Sequence, residues 1–545
     1  MNTTKQTNPK LRLRHLTFWP AFIMTAVAVI VSLTNGVTFA KATKQIVGWI
    51  LDHFSWGFSL AAFGCVILCI IVFFSPLGNI RIGGKNATPI LTRTKWIMIA
   101  LCTTIAAGLL FWAAAEPLYH YYYPPKSFNI EATSPSSAIF SLSTMFLHWT
   151  FTPFAIYCVP ALVFTLVYHN LNKPFSIGSM LYPVMGKKVY GKTGQVIDGI
   201  ALSGFSASMA SSMATGIIAI MGGLALYGVQ KGSVALAGIG AAIAIVVTLS
   251  SVSGLKKGIT LLSTVNTWVF MGIGIAIFVF GPTRFILNFS LESLGNYLDN
   301  FFQKSLITGA AEGESWGRDW TIFYFSSWMA WAPLTAMFLG KIARGYTVKE
   351  FLAVNLLIPS VFAGIWTSIF SGSVLYFDMT EAGSMKMMLD TNGYESVVYA
   401  LINKLPFASI LVLGFVFATF LSYCTAADST TDAMANLCLE SETGERLSED
   451  SSSVKELISM KVLWGIGIGI VAVTMLVFAD VEGIKQLAYI GGLPALVLCV
   501  GLLFSLIRLL FCAKELEACT DLEPLSFSSV NPPKPLEISD TSKVN

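Results

Sequence analysis

Residues 19–37 read WPAFIMTAVAVIVSLTNGV, a run without a charged side chain. A helix needs about 20 mostly apolar residues to cross the roughly 30 Å of hydrocarbon in a bilayer, so this run is long enough. Several basic residues precede it, as in a secretory signal, but it lacks an evident small-residue cleavage site. We therefore interpret it as a membrane helix that the protein retains.

Similar apolar runs recur along nearly the whole chain of 545 residues, of which 54% are hydrophobic and only 12% charged. An ordinary soluble protein carries about 25% charged residues, so this chain has too few to cover a globule of its size. The composition predicts an all-α integral membrane protein. We predict twelve transmembrane helices near residues 19–37, 57–76, 96–116, 139–168, 195–224, 233–252, 260–281, 321–341, 351–371, 405–426, 461–479 and 486–512.

The basic residues predict the topology, because loops rich in Lys and Arg stay in the cytoplasm. With segment 1–18 inside, the cytoplasmic loops contain Arg81, Lys85, Arg93, Lys95, Lys173, Lys187, Lys188, Lys192, Lys256, Lys257, Lys341, Arg344 and Lys349. This arrangement predicts a multi-pass protein of the plasma (inner) membrane. A membrane domain, 19–512, is followed by a short acidic tail, 513–545, and both termini are cytoplasmic.

One segment between the predicted spans is too polar to cross a membrane. Residues 287–302, LNFSLESLGNYLDNFF, alternate apolar and polar side chains at helical spacing. Such a pattern predicts an amphipathic helix that lies outside the hydrocarbon or against a partner subunit.

Two classes of partner are disfavoured by the sequence. The nine cysteines lie in apolar runs or predicted cytoplasmic segments without the spacing of a disulfide framework or a metal site, so we predict no metal. The net charge is only +4, and no basic block is interleaved with aromatic residues, which argues against nucleic acid as a partner. Membrane lipid and a small solute remain as partners.

Helix-breaking residues lie inside several predicted spans, at Gly108, Pro153, Pro160, Pro333 and Pro359. Freed backbone groups are costly in lipid, so breaks belong where protein or a water-filled cavity satisfies them. In transporters, interrupted helices mark substrate and ion sites. The alternative is that proline and glycine are simply common in membrane helices.

Aromatic residues form two stripes. In HWTFTPFAIY, Trp149, Phe154 and Tyr157 lie at relative angles of about 0°, 140° and 80° at roughly 100° per residue, on one broad face. In DWTIFYFSSWMAWAP, every third residue is aromatic, at Phe325, Trp328 and Trp331. Two such stripes form a box of ring faces that attracts a cation without hydrogen-bond donors, such as trimethylammonium, with about 0.5–2 kcal/mol per contact. The alternatives are an interfacial aromatic belt and ordinary packing.

Five segments together resemble the betaine/choline/carnitine transporter family. They are GLLFWAAAEPLYHYYYPP from Gly108, HWTFTPFAIY from His148, DWTIFYFSSWMAWAP from Asp319, ARGYTVKEF from Ala343 and TAADS from Thr425. The resemblance covers about residues 15–512 and keeps the motifs in order. It implies a secondary active transporter that works by alternating access, with a quaternary ammonium compound of the betaine, choline or carnitine type as its solute.

The resemblance also implies an architecture and a site. Two N-terminal helices precede a five-plus-five inverted repeat of the leucine-transporter type, with repeat one at about 96–281 and repeat two at about 321–512. A homotrimer would use the amphipathic helix for contacts between protomers. The family's aromatic box maps onto Trp149, Phe154, Tyr157 and Trp328, and Trp331 matches a second site nearer the cytoplasm.

This chain departs from the family pattern at the box itself. Phe154, Phe325 and Ser327 stand where the family often has Trp, so the box contains fewer indoles. Ser327, together with Thr103 and Thr104, offers hydroxyls that suit a carboxylate. The alternative solute is therefore another zwitterion, such as an amino acid.

The same matching implies a sodium site between the third and tenth spans. Cys102, Ile105 and Ser422 would supply carbonyl oxygens and Thr425 a hydroxyl, while Ala426 replaces a further hydroxyl of the pattern. Hard oxygen ligands suit a hard cation. Sodium is thus the expected coupling ion, with protons or exchange as alternatives, and we expect no cofactor.

Two other classes of protein fit less well. A membrane enzyme needs clustered acid–base or metal-binding residues, whereas the five histidines are scattered, so we expect no catalytic residues. A channel would need a ring-forming filter motif, and none is evident. We interpret Glu116 and Asp428 as solvated interfacial carboxylates and His148 as a hydrogen-bonded structural group.

Overall fold

The structure, a computed structural model, describes residues 11–104, 108–253, 256–441 and 455–519. These residues are nearly all helical, as the composition predicts, with one short antiparallel strand pair. The predicted tail from residue 520 onward and Ile105 lie outside the described residues, as does the side chain of Cys102.

The helices of the first half follow the predicted spans closely. They are α1 His15–Thr34, α2 Gly36–Phe74, α3 Arg93–Thr104, α4 Gly108–Tyr122, α5 Pro135–Trp149, α6 Phe151–His169, α7 Tyr182–Met185, α8 Lys192–Ala225, α9 Ser233–Ser253 and α10 Lys256–Phe280. Helix α2 begins well before the predicted residue 57. The residues before that point interrupt the apolar run with charges at its outer end, and the helix simply continues through them.

The second half contains α11 Thr283–Asp299, α12 Phe301–Ser305, α13 Phe323–Lys341, α14 Val348–Leu352, α15 Ile358–Thr380, α16 Ser384–Asn392, α17 Tyr394–Ile402, α18 Ala408–Cys438, α19 Lys455–Phe511 and α20 Ala513–Ala518. The strands are β1 Leu11–Leu13 and β2 Leu439–Ser441. Helix α19 covers the last two predicted spans and is broken at Asp480, whose φ of 49° and ψ of −140° are not helical.

Eight helices within the described ranges are long and apolar enough to cross a membrane, or nine if the bent pair formed by α10 and α11 counts as one span. The chain is therefore a multi-pass membrane protein. The finer count of twelve stays a prediction.

Interruptions are described in three of the predicted spans. The fourth span breaks at Thr150, where φ is −113° and ψ is −110°. The eighth and ninth contain wide helical turns at Arg318–Ile322 and Ala353–Leu357. Pro160 and Pro333 lie inside continuous helices. The prediction that these two prolines interrupt their helices is therefore wrong. Pro359 sits in the first turn of α15, where proline fits without loss of a hydrogen bond.

Several predicted cytoplasmic loops meet on one face. Ile82 accepts a backbone hydrogen bond from Gly345 and donates one to Tyr346, joining the loop after α2 to the loop after α13. The side chain of Asn170 donates to the carbonyls of Arg81 and Leu516 at 3.1 and 2.9 Å. These loops therefore share one face of the molecule, and its assignment to the cytoplasm stays a prediction.

The N-terminal segment is anchored on this same face. Strand β1 pairs with β2, with Leu11 opposite Ser441 and Leu13 opposite Leu439. The guanidinium of the buried Arg14 donates to the Asp198 carboxylate at 2.6 Å and to the carbonyl of Leu437 at 2.8 Å. Because a buried charge is tolerated only when paired, this contact ties the start of α1 to α8 and to the end of α18.

Helices α8 and α19 cross at two glycines. A Cβ at Gly204 would lie 2.6 Å from the carbonyl oxygen of Gly491, and one at Gly491 would lie 2.4 Å from that of Gly204. Nearby, the Ser211 hydroxyl donates to the carbonyl of Ile484 at 2.8 Å. Small residues let membrane helices approach closely, so the serines of α8 act here in packing.

The amphipathic segment forms α11 and α12. Helix α11 is turned by 100° from α10, beginning just after Pro282. Exposed apolar side chains follow one another along it at Leu287, Leu291, Leu294 and Leu298. Their spacing of four, three and four residues places them on one face.

Candidate functional site

The predicted box is built around the break between α5 and α6. Trp149 is the last residue of α5, and Thr150 departs from helical geometry before α6 begins at Phe151. Helix α6 then carries Phe154 and Tyr157 on the side that packs against α13. The break lets Trp149 and the two α6 rings reach the same point on α13.

Trp328 of α13 is the ring on which the others converge. Its centroid lies 5.7 Å from that of Trp149, 6.1 Å from Phe154 and 5.2 Å from Tyr157, with interplanar angles of 83°, 54° and 71°. All four side chains are at most 5% exposed. We call these four residues the aromatic cage. The structure thus brings the four predicted rings together, while solute binding by them stays a prediction.

The other predicted residues of α13 have different surroundings. Trp331 is half-buried and packs edge-on against Phe205 at 5.0 Å. Ser327, next to Trp328 in sequence, is partly exposed. Phe325 is fully buried. Trp331 therefore belongs to a separate aromatic contact, and its role in a second site stays a prediction.

A buried carboxylate that we did not assign to the site lies behind the cage. Glu116 of α4 is fully buried, so its interpretation as a solvated interfacial group is wrong. One carboxylate oxygen contacts His148 Nδ1 at 2.6 Å and His120 Nε2 at 3.0 Å. The other accepts from Trp149 Nε1 at 3.1 Å and from the Tyr324 hydroxyl. We call these five residues the Glu116 cluster.

The cluster also holds the second cage indole. Trp328 Nε1 donates to the carbonyl oxygen of His148 at 3.1 Å, and His148 Nε2 lies 3.0 Å from the Thr321 hydroxyl. His148 is thus a hydrogen-bonded structural group, as predicted. The sequence indicated that Glu116 lies close to His120, one helical turn later. It did not indicate that Glu116 also lies close to α5 and α13.

Three groups of the cluster have the composition of a metal site. The ligand atoms of Glu116, His120 and His148 lie within 4.8 Å of one another. However, the carboxylate oxygen already bonds to both rings at 2.6 and 3.0 Å, distances of ordinary hydrogen bonds. The geometry is therefore that of a hydrogen-bonded network centred on the carboxylate.

The predicted ion ligands are only partly visible. The Thr425 hydroxyl donates a hydrogen bond to the carbonyl oxygen of Leu421 at 2.7 Å within α18. The lone pairs of the hydroxyl oxygen therefore stay available to a cation. The Ser422 hydroxyl lies 2.6 Å from the amide nitrogen of Asn266. The Asn266 amide oxygen is buried and bonds to none of the described residues. Asn266, which we did not predict, thus adds an oxygen beside Ser422.

Asp428 is partly exposed, so its interpretation as a solvated interfacial group stays a prediction. Its carboxylate lies 3.4 Å from the ammonium of Lys461, and Asp432 lies 3.2 Å from the same nitrogen. This contact joins α18 to α19.

Helices that are long and apolar enough to cross a membrane define a multi-pass membrane protein, and this one contains a buried aromatic cage. The family model for betaine/carnitine/choline family transporters matches residues 16–514. The chain therefore belongs to this family. The prediction of a transporter rather than an enzyme is confirmed.

Several characterised relatives align with most of the chain. An osmo-dependent choline transporter of Acinetobacter baylyi is 28% identical over 497 residues, covering 90% of this chain and 70% of the relative. A glycine betaine transporter of Bacillus subtilis is 28% identical over 488 residues, covering 88% and 92%. An ectoine/hydroxyectoine transporter of Virgibacillus pantothenticus is 27% identical over 496 residues, covering 90% and 96%.

Proposed function

We propose that the protein is a secondary active transporter that carries a trimethylammonium compound, such as choline or glycine betaine, across the plasma membrane by alternating access. The aromatic cage is its central binding site. The observation that carries this proposal is the convergence of three rings on Trp328 within 6.1 Å, in a site at most 5% exposed.

The chemistry of the cage favours a cation that has no hydrogen bonds to donate. Both indole N–H groups are already bonded, to Glu116 and to the carbonyl of His148, so Trp149 and Trp328 offer ring faces to a solute. A ring face attracts positive charge through its quadrupole, with up to about 2 kcal/mol when water is excluded. A trimethylammonium group fits this requirement.

Uptake into proteoliposomes tests the proposal. Radiolabelled choline, glycine betaine and carnitine are supplied outside, and we expect saturable accumulation of at least one of them, which an excess of the unlabelled compound abolishes. Protein-free liposomes are the control. Absence of uptake of all three, together with absence of competition by any betaine, would overturn the proposed solute class.

A second candidate is a zwitterion without a trimethylammonium group, such as an amino acid or ectoine. The partly exposed hydroxyl of Ser327 beside Trp328 favours it, because a hydroxyl binds a carboxylate and a ring face does not. A ligand that binds the native state raises the apparent melting temperature. A thermal-shift comparison of ectoine and amino acids with choline therefore distinguishes the two candidates.

We propose sodium as the coupling ion, held between α3 and α18 with Thr425 and Ser422 among its ligands. The buried amide oxygen of Asn266 beside Ser422 supports this, since it is a further hard ligand. A cation that moves inward down a membrane potential of 100 mV supplies about 2.3 kcal/mol per charge. This free energy is enough for severalfold accumulation of the solute. Uptake that persists unchanged when potassium replaces sodium would exclude this ion and favour protons or exchange.

We further propose the twelve-helix arrangement with a five-plus-five inverted repeat, cytoplasmic termini and a homotrimeric assembly. The interruptions support the repeat, because the second predicted span of each half, the fourth and the ninth, contains one. Broken helices at corresponding positions are typical of inverted repeats. The exposed leucines of α11 support contacts between protomers.

A further inference from the structure

The carboxylate of Glu116 stands out because it is fully buried, and because each of its oxygens bonds to two groups drawn from α4, α5 and α13. Hydrogen bonds of this number satisfy an ionised carboxylate, which is an acceptor only. A protonated acid would instead have to donate one bond among groups that are themselves donors. The geometry therefore fits a buried negative charge.

The two imidazoles fit neutral rings. The Nδ1 atom of His120 is buried and bonds to none of the described residues, so a proton on it would be stranded. His120 therefore donates through Nε2 to Glu116. His148 donates through Nδ1 to Glu116, and its bare Nε2 accepts from the Thr321 hydroxyl. With these tautomers the Glu116 cluster carries one net negative charge.

Lysines near the cluster do not neutralise this charge by direct contact. Lys485 donates to the carbonyl of Asp319 and lies 3.9 Å above the ring of Trp320. Lys304 donates to the carbonyl of Phe140 and to hydroxyls of α5. Within the described ranges, the basic side chains in contact with Glu116 are its two neutral histidines.

The charge contacts the cage directly, through the side chain of Trp149. The indole of Trp149 donates to Glu116 through Nε1, and the same indole meets Trp328 at 5.7 Å with nearly perpendicular planes. Trp328 is held to the same cluster through the carbonyl of His148. The cluster thus lies directly behind both indoles whose faces line the cage.

We propose that Glu116 is the fixed counter-charge of the cage: it selects a net positive solute through its field while its hydrogen bonds orient Trp149. This inference rests on the proposed function, because it assumes that the cage binds an ammonium group. A carboxylate in a dry, low-dielectric interior acts over several ångströms, farther than the quadrupole of a ring. The charge should therefore contribute to affinity without touching the solute.

The test separates charge from shape by pairing a ligand with its neutral isostere. Two ligands are titrated against the purified full-length wild type, Glu116→Gln and Glu116→Asp. They are choline and its neutral isostere dimethylbutanol, which has a carbon atom in place of the quaternary nitrogen. Glu395→Gln is the matched control, since Glu395 is another buried glutamate but lies in α17 with Lys231 as its partner.

We expect Glu116→Gln to weaken choline binding about tenfold. It should change dimethylbutanol binding by less than about twofold, so the preference for the cation falls. Glu116→Asp keeps the charge but shortens the reach to Trp149, so both ligands should bind more weakly while the preference persists. Glu395→Gln should keep both the wild-type affinity and the wild-type preference.

Each other outcome has a definite meaning. An equal loss for both ligands in Glu116→Gln, or an unchanged choline affinity, overturns the counter-charge. If Glu116→Gln does not fold, Glu116→Asp decides, because a collapse of its preference for choline would also overturn the inference. A wild type that binds both ligands alike would instead refute the cation cage, and with it the proposed function.

Discussion

Trp328 is the central residue of the cage, because its ring contacts each of the three other rings. Its N–H is used by the carbonyl of His148, so the residue is oriented by the backbone of α5 as well as by packing. Phe154 stands where the family often has Trp. It keeps a ring face in the cage but has no indole N–H that would need a hydrogen-bond acceptor.

The first prediction concerns the substitution Trp328→Leu, which keeps an apolar side chain but removes the ring face. A desolvated cation–π contact of about 2 kcal/mol corresponds to roughly thirtyfold in affinity, so we expect a loss of that order for choline or glycine betaine. Isothermal titration on the folded variant measures it.

Trp331→Leu is the control for this prediction. Trp331 packs against Phe205, outside the aromatic cage, so its replacement should cost less equilibrium affinity. Wild-type affinity in Trp328→Leu, or a loss of stability alone in both variants, would mean that the aromatic stripe of α13 serves only in helix packing.

At the scale of elements, the site depends on helices that approach unusually closely. The Cβ positions at Gly204 and Gly491 are occupied by each other's backbone, so α8 and α19 touch without intervening side chains. The Ser326 hydroxyl donates to the carbonyl of Ala488 at 3.0 Å, which brings α13 against the same part of α19. Close approach at these points supports the helix that carries Trp328.

We therefore expect Gly204→Ala to destabilise the protein. The added methyl group would lie 2.6 Å from the Gly491 carbonyl oxygen, which is backbone and cannot turn away. Overpacking of this kind costs about 1–3 kcal/mol. The melting temperature in detergent is the measurement, and it should fall.

Gly238→Ala in α9 is the matched control, because a Cβ there meets nothing within 4 Å. Alanine favours a helix over glycine by up to about 1 kcal/mol, so this variant should melt at the wild-type temperature or above it. Equal melting temperatures for the two variants would show that α8 and α19 are not in tight contact.

At the scale of the whole molecule, ionic contacts link distant segments on the face opposite the loops described above. The ammonium of Lys231, between α8 and α9, lies 2.8 Å from the carboxylate of Glu395 and 3.2 Å from that of Asp480. Burial is the main reason why the pKa of Glu395 is raised, although Lys231 opposes it. Arg318 similarly contacts Asp52 of α2 at 2.7 Å, so segments from both halves of the chain meet there.

The proposed trimer gives the prediction at this scale. Leu291 and Leu298 of α11 are 70% and 64% exposed, and they lie on one face of an amphipathic helix. We expect the double variant Leu291→Gln, Leu298→Gln to shift the protein from trimer to monomer in native mass spectrometry. A polar face gains little free energy when it is buried between copies.

Val234→Gln is the control for the trimer prediction. Val234 is 86% exposed at the start of α9, so it tests whether any exposed polar substitution disturbs the assembly. A monomeric wild type, or dissociation by both sets of substitutions alike, would contradict contacts through α11.

The sequence by itself determined the class of fold and the family. Apolar length and charge depletion depend on composition alone, and these predicted membrane helices whose positions the structure largely reproduces. The rings of the aromatic cage were also predictable, because Trp149, Phe154 and Tyr157 share a helical face and Trp328 lies in a motif.

Only the tertiary structure decided what surrounds the cage. Glu116 and His148 are 32 residues apart and Glu116 and Tyr324 are 208 apart, and no local pattern reports that α4, α5 and α13 converge. A carboxylate at the end of an apolar run is equally compatible with solvent and with burial. Its environment depends on which donors the other helices bring to it, and that is a property of packing rather than of helical periodicity.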